Sequence, residues 1–124
     1  MDQKLNKKEI LRQPKEYKRV YKAGQETEER GLTLRAYPNN LGFSRLGITI
    51  PKRIVSKAAV RNKLKRYLRE AYRQNKHWIK GGFDLVVAFR RSTSPTDGFY
   101  QIEEKMLALL GKQGLLTRKE KQPK

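Results

Sequence analysis

The chain of 124 residues contains no cysteine, which excludes disulfide scaffolds, zinc fingers, iron–sulfur clusters and thiol nucleophiles in one step. It has a single histidine, His77, too few for a histidine-rich metal site. Long hydrophobic runs are missing too. Nowhere do about 18 apolar residues follow one another, so no transmembrane helix is expected, and residues 1–10 lack the apolar stretch of a signal peptide. A cytoplasmic protein is the expectation. Acidic side chains are scarce: 12 Asp and Glu stand against 30 Lys and Arg, for a formal charge of +18.

Such an excess repels itself in a compact domain, and a polyanionic partner is the simplest reason to keep it. Nucleic acid leads, and an anionic membrane surface trails. The charge is also localised, because residues 51–80 carry 11 basic side chains and one acidic one, Glu70. Residues 81–111, in contrast, carry three basic and four acidic side chains.

The length fits one domain. Residues 9–116 are expected to form it, between frayed basic extensions at 1–8 and 117–124. Pro14 suits the first turn of a short helix that carries Tyr17, Val20 and Tyr21 on one face and stops at Gly24. Residues 32–37 alternate, with Leu32, Leu34 and Ala36 on one side and Thr33, Arg35 and Tyr37 on the other. Residues 45–50 alternate likewise, with Leu46, Ile48 and Ile50 opposite Arg45, Gly47 and Thr49; both stretches read as half-buried strands. From about Ser56 to His77 the apolar residues Val60, Leu64, Tyr67, Leu68 and Ala71 recur at helical spacing. The run 83–89 suits a strand covered on both faces. A last helix is expected with Ser94 as N-cap, Pro95 at N1, a stripe of Phe99, Ile102, Met106 and Leu110, and a stop at Gly111. The order α-β-β-α-β-α describes a small α+β sandwich, a mixed sheet packed with helices.

On the central helix, setting Val60 to zero places Asn62, Lys65, Arg66, Arg69, Arg73 and Lys76 within about 140–240°, opposite the apolar stripe. A polar stripe usually only solvates a helix. A solvated face, however, mixes signs so that Glu–Lys pairs support the helix, and this one is almost wholly cationic. Arginine also predominates on it, and a planar fork suits phosphate oxygens and groove edges. Lys52, Arg53 and Lys57 extend the same surface into the preceding loop.

The run 59–73, Ala-Val-Arg-Asn-Lys-Leu-Lys-Arg-Tyr-Leu-Arg-Glu-Ala-Tyr-Arg, resembles the signature helix of the protein subunits of bacterial ribonuclease P. Arg45-Leu46-Gly47, Pro51-Lys52-Arg53 and the Tyr17/Tyr21 helix resemble that family in order and spacing, over about residues 8–112. The resemblance implies a left-handed βαβ crossover at the central helix. It implies contact with the catalytic RNA subunit through Lys52, Arg53, Lys57, Arg61, Asn62, Lys63, Lys65, Arg66, Arg69 and Arg73. Lys63 stands where the family usually has arginine, which keeps the charge and loses the bidentate fork. A cleft for the single-stranded 5′ leader of precursor tRNA is implied at Tyr17, Tyr21, Arg35, Arg45 and Thr49. Arg35 falls where some relatives carry an aromatic ring, and a guanidinium there can stack or bind phosphate. Single strands are held by aromatic platforms in cationic grooves, yet the spacing of Tyr17, Val20 and Tyr21 equally describes a face that docks the helix on a sheet. Both readings of the tyrosines stay open here.

A protein phosphodiesterase normally needs clustered carboxylates for metals or a histidine pair, and the sequence offers neither. Asp84 lies in an apolar strand, Asp97 near a helix start, Glu103 and Glu104 on a polar helix side, and His77 near a helix C-terminus, where the dipole favours it. The chain is expected to be inert alone, with no tightly bound cofactor. The resemblance places Mg2+ and the catalytic groups on the RNA, with that RNA and precursor tRNA as partners, no membrane and no obligatory protein partner. A ribosomal or architectural RNA-binding protein suits the charge and size equally, but needs no cleft for a mobile single strand. A DNA-binding module fits less well, since no short recognition helix or dimer seam is evident.

Overall fold

The computed structural model describes residues 5–90 and 97–117. Seven principal elements follow one another: α1 (Pro14–Ala23), β1 (Gln25–Glu29), β2 (Leu32–Pro38), β3 (Arg45–Thr49), α2 (Ala58–Asn75), β4 (Phe83–Phe89) and α3 (Phe99–Lys112). The strands form one mixed sheet in the order β1-β2-β4-β3. β2 runs antiparallel to β1 and β4, whereas β3 and β4 are parallel and joined through α2. The parallel pair is the unit whose left-handed crossover the resemblance implies.

The alternation read in β2 and β3 sorts their side chains between two layers. Leu32, Leu34, Ala36, Leu46, Leu85, Val87 and Phe89 join Leu64, Leu68, Ala71, Ile102, Met106 and Leu110 in the main core, beneath α2 and α3. On the other face Val86 meets Leu11 and Val20 in a smaller core under α1, with Tyr17 and Tyr37 packed against it. β4 is central and covered on both sides, and this explains its nearly unbroken apolar run.

β1 adds a strand to the expected order. Its sequence, Gln-Glu-Thr-Glu-Glu, has no apolar alternation because it is an edge with little to bury, and its charges guard that edge. A two-residue turn, Arg30-Gly31, joins it to β2 with φ of 43° and 96°, the positive pair that a type I′ hairpin needs. The opposite edge, β3, is covered by residues 10–11: Ile10 bridges to Leu46, and the Leu11 N–H donates to the Leu46 carbonyl at 2.9 Å.

Some boundaries differ from expectation. Gly24 ends α1 as expected, through close approach: a Cβ there would lie 2.5 Å from the Val20 carbonyl. α3 passes through Gly111 to Lys112, and Gly114, at φ 70°, supplies the left-handed turn after it. Leu115 N–H then bonds back to Leu110 at 2.9 Å. Ser94 and Pro95 lie outside the described residues; Gly98 precedes the first described turn of α3. His77 sits just past α2 in a 3-10 turn, its ring 4.4 Å from that of Trp78. Of the segment 1–8 expected to fray, Leu5 packs against the main core and Lys7–Glu9 form a 3-10 turn, so packing begins nearer residue 5. In the expected tail, only Thr117 is described, and its N–H donates to the Trp78 carbonyl.

Candidate nucleic-acid interface

α1 is too short to cover its face of the sheet, and the uncovered part forms a groove of about 440 Å³. Tyr21, Thr33, Arg35, Thr49, Arg53 and Arg90 are among its lining residues. Tyr21 is 41% exposed, its hydroxyl 3.2 Å from Thr49 Oγ1 and its ring centroid 5.7 Å from the Arg35 guanidinium. Arg35 also donates to the Tyr21 carbonyl at 3.2 Å. An aromatic face, a hydroxyl and a guanidinium therefore share one wall. Arg53, expected beside the α2 surface, opens into this groove as well.

The two tyrosines play different parts. Tyr17 is half-buried, and its hydroxyl donates to the Leu11 carbonyl at 3.3 Å. Its ring occupies the space over Gly47, where a Cβ would come within 2.6 Å of the phenol oxygen. Burial pushes the Tyr17 phenol up from its usual range, which keeps it a donor. Tyr17 is thus mainly a packing residue. Its outer edge reaches a second concavity of about 210 Å³, shared with Gly47, Ile48, Lys65 and Arg69. The helix stripe and the sheet face consequently meet along the β3 edge, with Tyr17 between them.

Beneath α1 lies a buried ionic cluster. Asp84, fully buried, accepts two bonds from the Arg45 fork at 2.8 Å each and one from Asn39 at 2.9 Å, and Arg19 of α1 approaches it at 3.5 Å. Arg45 also donates to Glu16 of α1 at 2.9 Å. Burial alone would push the Asp84 carboxyl up, but Arg45, Asn39 and Arg19 outweigh it and hold it below the usual carboxylate range. Arg45 was expected to contact the leader. Its guanidinium instead fastens α1 to the sheet, and its side chain is only 15% exposed.

Along α2, Asn62, Lys63, Arg66 and Arg69 are exposed, and Lys65 and Arg73 are partly so. Arg66, Arg69 and Arg73 line a shallow concavity of about 330 Å³ with Leu5 and Ile10. Glu70 is held by Arg73 and by Gln74 at 2.9 Å, and these bonds keep its carboxyl below the usual range. Arg61 turns back, donating to the Val55 and Ser56 carbonyls at 3.0 and 2.9 Å, and so braces the loop ahead of α2. Lys52, Arg53 and Lys57 are exposed on that loop. Three residues that sequence patterns did not single out also matter. Asn39 completes the Asp84 cluster, and Glu26 of β1 pairs with Arg35 at 3.3 Å and with Arg90, tying β1, β2 and the end of β4 across the groove floor.

Among the described residues no three His, Cys, Asp or Glu side chains come together as a metal cage, and no helix is long and apolar enough to cross a membrane. The arrangement is that of a small α+β domain presenting two cationic surfaces around one mixed sheet. A comparison with protein families matches residues 5–114 to the family described as Ribonuclease P, and the chain belongs to that family. It is 37% identical over 113 residues to the ribonuclease P protein component of Thermotoga maritima, covering 89% of this chain and 96% of that one. A Clostridium botulinum ribonuclease P protein component is 36% identical over 110 residues, 88% of this chain and 97% of its own length. Among solved structures, the Thermotoga maritima RNase P protein superposes with a TM-score of 0.76 at 36% identity, over 84% of this chain and 96% of that one. The Staphylococcus aureus RNase P protein gives 0.79 at 25%, over 87% and 97%. The chain is accordingly a protein component of a ribonuclease whose holoenzyme joins protein and RNA.

Proposed function

We propose that this protein uses α2 and its preceding loop to hold the catalytic RNA subunit, and the groove beside α1 to hold the 5′ leader of precursor tRNA. The observation that carries this reading is the junction at the β3 edge, where Lys65 and Arg69 of the helix face the Tyr17 edge and open toward the sheet. A single strand leaving the RNA surface there passes along β3 from Ile48 to Thr49 into the groove of Tyr21, Arg35 and Arg53. Phosphates meet guanidinium forks along it, and one base has an exposed tyrosine to stack on. Arg45 acts indirectly, setting the distance of α1 from the sheet and hence the groove wall. Arg61 acts in the same indirect way on the loop.

The chain supplies position and charge, and the RNA supplies the reacting groups. Mg2+, in this reading, belongs to the RNA and the substrate, because the protein's carboxylates are scattered or committed to arginines. The working location is the cytoplasm, where the protein meets newly made tRNA precursors.

The test is reconstitution with a transcribed bacterial ribonuclease P RNA at low magnesium. Addition of the protein should raise the rate of 5′ leader removal, and Tyr21→Ala should weaken binding of precursor tRNA by about 1–3 kcal/mol while mature tRNA binding stays at the parental level. No stimulation by the protein would overturn the proposal. Equal losses for both ligands would remove the leader from the groove.

A further inference from the structure

On the far side of the sheet from the groove, α2 meets the start of α3 in a row of three rings. Tyr67 and Phe99 lie edge to face, with centroids 6.1 Å apart and planes at 78°; Phe99 and Tyr100 repeat the arrangement at 5.3 Å and 76°. The first two rings are partly buried against the main core. Tyr100 is 78% exposed, far more than Tyr21 or Leu41, the other exposed large apolar side chains among the described residues. An exposed tyrosine alone says little. This one ends a fixed row whose other end carries a cation: the Arg66 guanidinium stands 5.9 Å from the Tyr67 centroid. Lys63, also exposed, lies one helical turn before Tyr67 on the same side of α2.

Of the acids nearby, Asp97, Glu70 and Glu103 are engaged, Asp97 by Lys105 at 2.6 Å, while Glu104 is exposed and only loosely paired. Glu70 is bound to Arg73 and Gln74, Glu103 accepts from Asn75 at 2.9 Å, and Glu104 lies 3.9 Å from Arg30. The Tyr100 ring is held against Phe99 with its outer face in water, at one end of a row whose α2 end carries two exposed cations. Such a row suits a strand that stacks one base on the ring and runs its phosphates back along the row. An apolar protein partner would need more contiguous apolar surface than one ring provides.

We infer that Tyr100 is a stacking platform for an unpaired nucleotide of the RNA subunit, with Arg66 and Lys63, at the α2 end of the row, taking phosphates further along the same strand. The RNA contact then extends from α2 onto α3. This rests on the reading of α2 as the RNA-subunit face. It also gives Lys63 a use that needs charge and no bidentate fork.

The experiment measures binding of a transcribed bacterial ribonuclease P RNA to the full chain and to Tyr100→Ala, Tyr100→Trp and Arg66→Ala/Arg69→Ala, with melting curves for each. Tyr100→Ala should weaken binding about 5- to 100-fold and expose one nucleotide to chemical probing, without lowering the melting temperature; Tyr100→Trp should restore both. Parental binding by Tyr100→Ala, alongside a loss in the arginine double variant, overturns the stacking inference and leaves the α2 reading standing. No loss in either variant overturns the α2 reading itself. A Tyr100→Ala defect confined to precursor tRNA, or a change in self-association alone, also overturns the inference.

Discussion

Asp84 shows how little a single residue reveals by its type. An acid inside an apolar strand reads as an isolated blemish, because its partners come from positions 19, 39 and 45, on α1, a turn and β3. Only the fold assembles them. The tyrosines carry the same lesson: one spacing fitted both a packed face and a stacking face, and the fold shows one edge of the Tyr17 ring seated over Gly47 while the other reaches an open concavity. Removing one partner of a buried pair leaves an uncompensated charge. Asp84→Asn should therefore cost about 3 kcal/mol of stability at neutral pH, read from urea unfolding. Its pH dependence has a definite sign. The folded carboxyl titrates below its unfolded range, so its contribution is present above about pH 4 and disappears as pH falls through the lower folded value. The parent should lose stability on acidification more steeply than Asp84→Asn, and parallel curves would show that the cluster contributes nothing.

Elements were legible where burial stamps a period on the sequence. β2, β3 and the two faces of α2 could be placed from alternation or helical spacing, because each buries one side against a core and shows the other to water. β1 could not, since an acidic edge strand has no buried side and its Arg-Gly turn is not among the usual hairpin dipeptides. Gly111 misled for a related reason: a glycine near a helix end is a stop only where the chain needs positive φ, and Gly114 meets that need. The α2 stripe was legible as a cationic face, but its division of labour was not. Arg61 and Arg73 bond within the protein, whereas Arg66 and Arg69 are exposed and line one concavity. Arg66→Ala/Arg69→Ala should thus leave the circular dichroism spectrum and melting temperature close to parental, because neither side chain enters the core and alanine favours helix. Affinity for the RNA subunit should fall by about 1–3 kcal/mol. Parental affinity throughout a salt titration would mean that the stripe only solvates α2.

At the scale of the whole molecule, the charge is arranged across the sheet and is not spread evenly. β1 places Glu26, Glu28 and Glu29 at one edge, while β3 at the other edge adjoins Lys65 and Arg69 of α2. Glu26 is paired with Arg35 and Arg90, and Glu29 with Arg30 and Lys112. The β1 edge is thus largely offset, and a polyanion is attracted more strongly toward β3 than toward β1. With 30 cations in 124 residues, binding should release many counterions, and affinity for the RNA should fall steeply with salt. Magnesium screens the same phosphates that these cations oppose. Protein and magnesium should then substitute for one another in part: the rate gain from adding the chain should be largest at low magnesium and shrink as magnesium rises, at constant ionic strength. The His77→Ala variant should follow the parental curve, since that ring packs on Trp78 outside both surfaces. The measurement is precursor-tRNA cleavage by a transcribed ribonuclease P RNA with and without protein, across magnesium concentration. A protein-dependent gain that stays constant over the whole range would mean that the chain contributes something magnesium cannot imitate. A large loss in a well-folded His77→Ala protein, or cleavage by the chain without RNA, would place chemistry on the protein itself.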